Sequence, residues 1–186
     1  APRVSGNAMK RAQLELALRL AGEVARDSEF IVFGSQSILG TVGRPPKTCL
    51  VSMEVDIYPR QHPQAAGLIV ARFGARSAFA RENGFFVDCV TPELAAFPEG
   101  WMDRLIPFRT KRTGGVTGWC VELHDVAASK LAAGREKDLT YIKALLAARL
   151  VKARVLQARI HTLPITPASQ DEALRQMQRL KTTPSK

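Results

Sequence analysis

The strongest constraint on the fold lies between Phe30 and Pro59. Phe30 to Phe33 is a short apolar, β-prone run that ends in Gly34-Ser35, and Gln36 to Leu39 should open a helix. The stretch from Thr41 to Lys47 holds Gly43, Pro45 and Pro46 and reads as a loop. Met53 to Tyr58 then alternates acidic and apolar residues and stops at Pro59, as a half-buried strand does. Side chains two apart on a strand share a face, so Glu54 and Asp56 are neighbours while Val55 and Ile57 turn to the core.

Two adjacent carboxylates repel each other unless a cation sits between them. A hard divalent ion with oxygen ligands removes that cost, and magnesium held by one or two carboxylates plus nucleotide phosphates is a common arrangement. A Gly-Ser turn entering a helix brings backbone N–H groups and a hydroxyl to a phosphate. The competing explanation is an acidic strand that faces solvent.

The rest of the chain supplies a frame for this pair. Met9 to Ala25 reads as an amphipathic helix, with Leu14, Ala17, Leu18, Ala21 and Val24 on one face. Gln64 to Phe73 is a second helix, Phe85 to Val90 a strand, and Pro92 to Gly100 irregular. Leu105 to Thr110 and Trp119 to Leu123 form a predicted hairpin turning at Thr113-Gly114-Gly115. From Asp125 the pattern is helical, with a stop at Gly134 and helices over about 137–148 and 153–161. Pro164 and Pro167 interrupt it, and Ser169 to Glu172 resembles a capping box for the last helix. The expected fold class is α/β (α+β), a mixed sheet flanked by helices with a C-terminal helical region. The expected division falls at residue 123, with 1–123 as the core and 124–186 as the helical part.

The residues Phe33-Gly34-Ser35 and Glu54-Val55-Asp56-Ile57 resemble the signature of the polymerase-beta-like nucleotidyltransferase superfamily. That signature is an apolar residue, Gly, then Gly or Ser, followed after a gap by an acidic–apolar–acidic–apolar strand. The gap here, from Gln36 to Met53, is 18 residues and longer than is typical of the superfamily. The resemblance implies the minimal nucleotidyltransferase fold. It also implies magnesium, with manganese as the alternative, bound by Glu54 and Asp56, and an NTP held at Gly34 and Ser35. A third carboxylate on a later strand often serves such enzymes as general base, and Asp88 is the candidate. The alternative for Asp88 is an edge-strand position facing water.

Leu123 to Asp138 is similar to the helical motif of a bacterial branch that contains abortive-infection and toxin–antitoxin toxins. In that branch a helix lysine, followed by an arginine and an aspartate, faces the nucleotide. The resemblance therefore assigns Lys130 to the triphosphate and Asp138 to the acidic or polar side of the pocket, with Arg135 either holding a phosphate or pairing with Asp138. An ammonium stabilises phosphate charge as it redistributes in a transition state. Ordinary exposed helix charges are the plainer explanation.

The formal charge of +10 concentrates at the end of the chain: residues 143–186 hold nine Lys/Arg against two Asp/Glu. A basic tail attracts RNA, DNA or an acidic protein. The expected reaction moves an NMP from an NTP to a hydroxyl, with RNA, at a tRNA 3′ end as in toxin-type relatives, as the first acceptor. A protein hydroxyl (NMPylation) is second and a small molecule third. A non-catalytic binding module that keeps the fold is the other class, and an acidic antitoxin is the expected protein partner.

Other features exclude alternatives. Cys49, Cys89 and Cys120 are odd in number and form no CxxC pair, which argues against a disulfide framework or zinc site. His62, His124 and His161 lack metal spacing, and His124 reads as structural. Trp101 and Trp119 read as packing anchors. No apolar run nears the roughly 20 residues that span a bilayer, and the N-terminal pattern is not secretory, so the cytoplasm is the expected compartment.

Overall fold

The alternation from Glu54 onward is realised as a strand whose residues are half-buried and buried in turn. A computed structural model describes residues 8–182. The chain forms two compact units, Ala1–Val90 with Pro107–Cys120, and Thr91–Ile106 with Val121–Lys186. Residues 91–106, which precede the expected division at 123, thus cluster with the later helices. Among the described residues no helix is long and apolar enough to cross a membrane.

The first unit begins with α1 (Arg11–Ala25). Its apolar face is Leu14, Ala17, Leu18, Ala21 and Ala25, all buried, whereas Val24 is only half-buried. The spacing of three and four residues makes one stripe, and each fully buried leucine contributes about 1.5–3 kcal/mol. Gln13 accepts the Lys10 N–H at 2.8 Å and closes the N-terminus. Arg26, at φ 53°, ends the helix in the left-handed region.

The sheet comprises β1 (Glu29–Val32), β2 (Glu54–Pro59), β3 (Phe86–Cys89), β4 (Ile106–Phe108) and β5 (Thr117–Cys120) in the order β3-β2-β1-β5-β4. It is mixed: β1 runs antiparallel to β2 and parallel to β5, and β2 runs parallel to β3. Between the strands lie α2 (Ile38–Thr41), α3 (Ala66–Phe73) and α4 (Ala78–Asn83). The helix expected from Gln36 is shorter: a 3-10 turn at Ser35–Ser37 precedes the single α-helical turn of α2.

The sequence reading did not include α4. Ser77 caps it by accepting the Ala80 N–H, Gly84 closes it at φ 69°, and Phe79 sits edge-on between Phe73 and Phe85 at 5.2 and 5.1 Å. The predicted hairpin strands are shorter than expected, because a 3-10 turn at Lys111–Thr113 takes residues from the connection. Leu123 belongs to the next helix.

The second unit contains α5 (Leu123–Ala133), α6 (Glu136–Ala147), α7 (Ala153–His161) and α8 (Pro167–Thr182). Leu131, Ile142, Leu145, Leu156, Ile160 and Met177 form its core. Gly134 ends α5 at φ 63°, as the sequence predicts. The last helix starts earlier than the expected capping box, with Pro167 as its first residue and the Thr166 hydroxyl accepting the Ser169 N–H. Proline suits the first turn because its missing N–H has no helical partner there. Asp125, fully buried, holds this unit together: Arg104 donates two hydrogen bonds to it at 2.8 and 3.0 Å, and Arg159 lies 3.2 Å away.

Candidate active site

The end of β1 meets the middle of β2 through the backbone, where the Phe33 N–H donates to the Asp56 carbonyl at 2.9 Å. The next residue, Gly34, has φ 63° and ψ −159°. A Cβ there would overlap Asp56 Oδ2. Positive φ and lack of space both require glycine. The Gly34-Ser35 turn therefore lies directly against the Asp56 carboxylate. The long gap does not separate the two motifs.

The extra residues are absorbed by α2, the loop after it and a 3-10 turn at Lys47–Leu50. Gln36, itself buried, ties the two ends of this excursion by donating to the Ser52 carbonyl at 2.7 Å.

Parallel pairing supplies the third acid. Asp56 is in register with Asp88, and Glu54 with Phe86. The alternation buries Val55, Ile57 and Val87 and leaves Glu54, Asp56 and Asp88 half-buried. One carboxylate oxygen from each acid lies within 4.8 Å of the others. The Cys89 N–H donates to Asp88 Oδ1 at 2.8 Å and fixes that side chain.

At such spacing the carboxylates repel one another, with water screening part of the interaction. The neighbouring thiol senses the field: burial, then Asp88 and Asp56, push Cys89 up to about 12. A cluster of hard oxygen donors fits a divalent cation. The close approach of Gly34 keeps one side of the cluster free of side-chain bulk.

Lys130, Arg135 and Asp138 come together in the second unit. Asp138 is fully buried and both its oxygens are bonded, Oδ1 to Lys130 Nζ and Oδ2 to Arg135 Nε, each at 2.6 Å. Lys130 also lies over the Tyr141 ring, 4.9 Å from its centroid. Burial alone would raise the Asp138 pKa, but the hydrogen bonds from Lys130 and Arg135 outweigh it and hold it below the ordinary value. Asp138 thus acts within this unit as counter-ion to two cations.

The remaining candidates have structural partners. His124 Nδ1 lies 2.7 Å from Glu122, and its Nε2 accepts the Lys152 N–H at 2.9 Å. Trp119 Nε1 donates to Glu29, with Arg60 stacked over the ring. Trp101 packs on Phe97. The sequence reading missed Gln36 and Cys89 as parts of the site. Their adjacency to Ser35 and Asp88 was the available signal.

No curated protein and no solved structure matches the chain. A family model does, over residues 10–182, and it carries the description nucleotidyltransferase of unknown function (DUF6036). With nearly the whole chain matched, and with the glycine turn seated on an acidic strand, the protein belongs to this nucleotidyltransferase family.

Proposed function

We propose that the protein transfers an NMP from an NTP to a hydroxyl acceptor in a magnesium-dependent reaction, manganese being the alternative ion, with RNA as the acceptor. One observation carries the proposal: Glu54, Asp56 and Asp88 converge within 4.8 Å, and the Gly34 turn presses on Asp56.

In this reaction the acceptor oxygen attacks the α-phosphorus. The bond from that phosphorus to the bridging oxygen breaks, and pyrophosphate leaves. Divalent metal, when bound, neutralises phosphate charge and lowers the pKa of a coordinated hydroxyl. Glu54 and Asp56 would hold it. Asp88, oriented by the Cys89 N–H, takes the acceptor proton as general base. Gly34 and Ser35 offer the turn to the phosphates. Of the two cations assigned to the triphosphate, Arg135 is the accessible one, at 59% side-chain exposure against 11% for Lys130. Asp138 positions both.

The charge of +10 supports a polyanionic acceptor. The helix–Gly134–helix arrangement around Asp138 supports the toxin-type branch, in which the basic end would also receive an acidic antitoxin. Incubation with each labelled NTP, magnesium and total RNA tests the proposal. Label in RNA that disappears in Asp56→Ala is the expected result. Label in protein would move the acceptor class to NMPylation. Absence of magnesium-dependent NTP binding would overturn the enzymatic reading. Growth arrest on expression, relieved by the same substitution, tests the toxin assignment.

A further inference from the structure

A pocket of about 370 Å³ opens at the sheet edge, between the end of α3, the turn that follows it, and β3. Val70, Ala75, Arg76, Ser77 and Phe86 are among its walls, and Asp88 borders it. Asp88 is thus common to the pocket and the acidic cluster. We infer that this pocket seats the terminal nucleotide of an RNA acceptor. The inference rests on the nucleotidyltransferase reading and adds the place where the acceptor binds.

The size suits one nucleotide, not a helical segment, and lies within the ordinary range of ligand pockets. Val70 and Phe86 supply an apolar wall for a base, and aromatic stacking is the usual way proteins hold unpaired bases. Between Pro63 and Val87 the chain carries Arg72, Arg76 and Arg81 against a single acid, Glu82. All three arginines are exposed. Arg81 donates to the Arg76 carbonyl at 3.1 Å and steadies the turn from which Arg76 projects. A guanidinium at the rim is suited to the phosphate that links the terminal nucleotide to the strand. With base and phosphate so placed, the terminal ribose is the part left to meet Asp88, the group assigned to take the acceptor proton.

The test compares the wild type with Arg76→Ala, an exposed substitution, and Ala75→Trp, which fills the pocket. The probe is a short fluorescent oligoribonucleotide with a free 3′ hydroxyl, followed by anisotropy in magnesium and a non-hydrolysable NTP analogue. Analogue binding is measured separately by calorimetry. The expected result is RNA affinity lowered at least about tenfold in either variant, the loss of one charge-assisted hydrogen bond or of the pocket itself. Metal-dependent analogue binding should stay within about twofold, as for independent sites. RNA affinity unchanged in both variants overturns the inference. So does a wild type that binds analogue but not RNA. A wild type that fails to bind analogue with magnesium overturns the underlying reading as well.

Discussion

Two groups of buried or half-buried carboxylates do opposite things in this molecule. Asp138 has a side-chain cation on each oxygen, and Asp125 sits between two arginines. Glu54, Asp56 and Asp88 instead converge on one another. The first arrangement balances its charge within the protein. The second concentrates like charge where strand register fixes it, and a bound cation lowers its energy. Acids surrounded by the chain's own cations hold structure; acids gathered within 4.8 Å of one another fit a divalent cation.

The largest expected effect breaks the second group. Asp56→Ala should reduce transfer by at least about a thousandfold while the protein stays folded, because relief of repulsion offsets the lost contacts. Magnesium should raise the wild-type melting temperature and leave that of the variant unchanged, which a thermal scan reads.

Gly34→Ala sharpens the link between turn and acid. Strain at positive φ costs about 1–3 kcal/mol, and displacement of Asp56 should lower activity about a hundredfold. Steady-state kinetics beside a melting curve separates the two losses.

Asp138→Ala breaks the first group. It strips Lys130 of its buried partner and should cost about 2–4 kcal/mol in urea unfolding, most of it from Lys130, since Arg135 is well exposed. The pH profile distinguishes charge from packing. The folded pKa of Asp138 lies below its ordinary value of 3.8. Its stabilisation is therefore present above that value and is lost as pH falls through the lower folded value. Stability of the wild type should fall more steeply under acid than that of Asp138→Asn.

The smallest effect belongs to a surface pair. Arg175 and Glu172 are 2.9 Å apart with side chains 58% and 44% exposed, where water screens the pair, so Arg175→Ala should leave the melting temperature nearly unchanged.

The same contrast governs what could be read from the sequence. Glu54 and Asp56 were legible because strand periodicity places them side by side without knowledge of the rest. Gly34 was legible as a turn, and Gly134 as a helix end. Asp88 could be named as a candidate, but its register with Asp56 depends on which strands pair. The triple contact of Asp125 with Arg104 and Arg159 joins three distant segments and leaves no local pattern. For the same reason residues 91–106 gave no sign that they cluster with the later helices. The short helix α4 did carry a signal, a capping serine and a closing glycine seven residues apart, but its six residues give too little periodicity to stand out.

The tie between Gln36 and the Ser52 carbonyl has a practical side. It closes residues 37–51 at their base, an excursion whose ends are packed (Ile38, Leu39 and Cys49 are buried) and whose middle is exposed. At Gly43, exposed in the middle of it, an added Cβ would meet nothing within 4 Å. Insertions near that point should be absorbed by the loop, leaving Gly34 and Asp56 where they are. Relatives can then differ widely in the number of residues between the two motifs, and a search pattern with fixed spacing will pass them by. The same position is a natural place to splice in an affinity tag or a spectroscopic label.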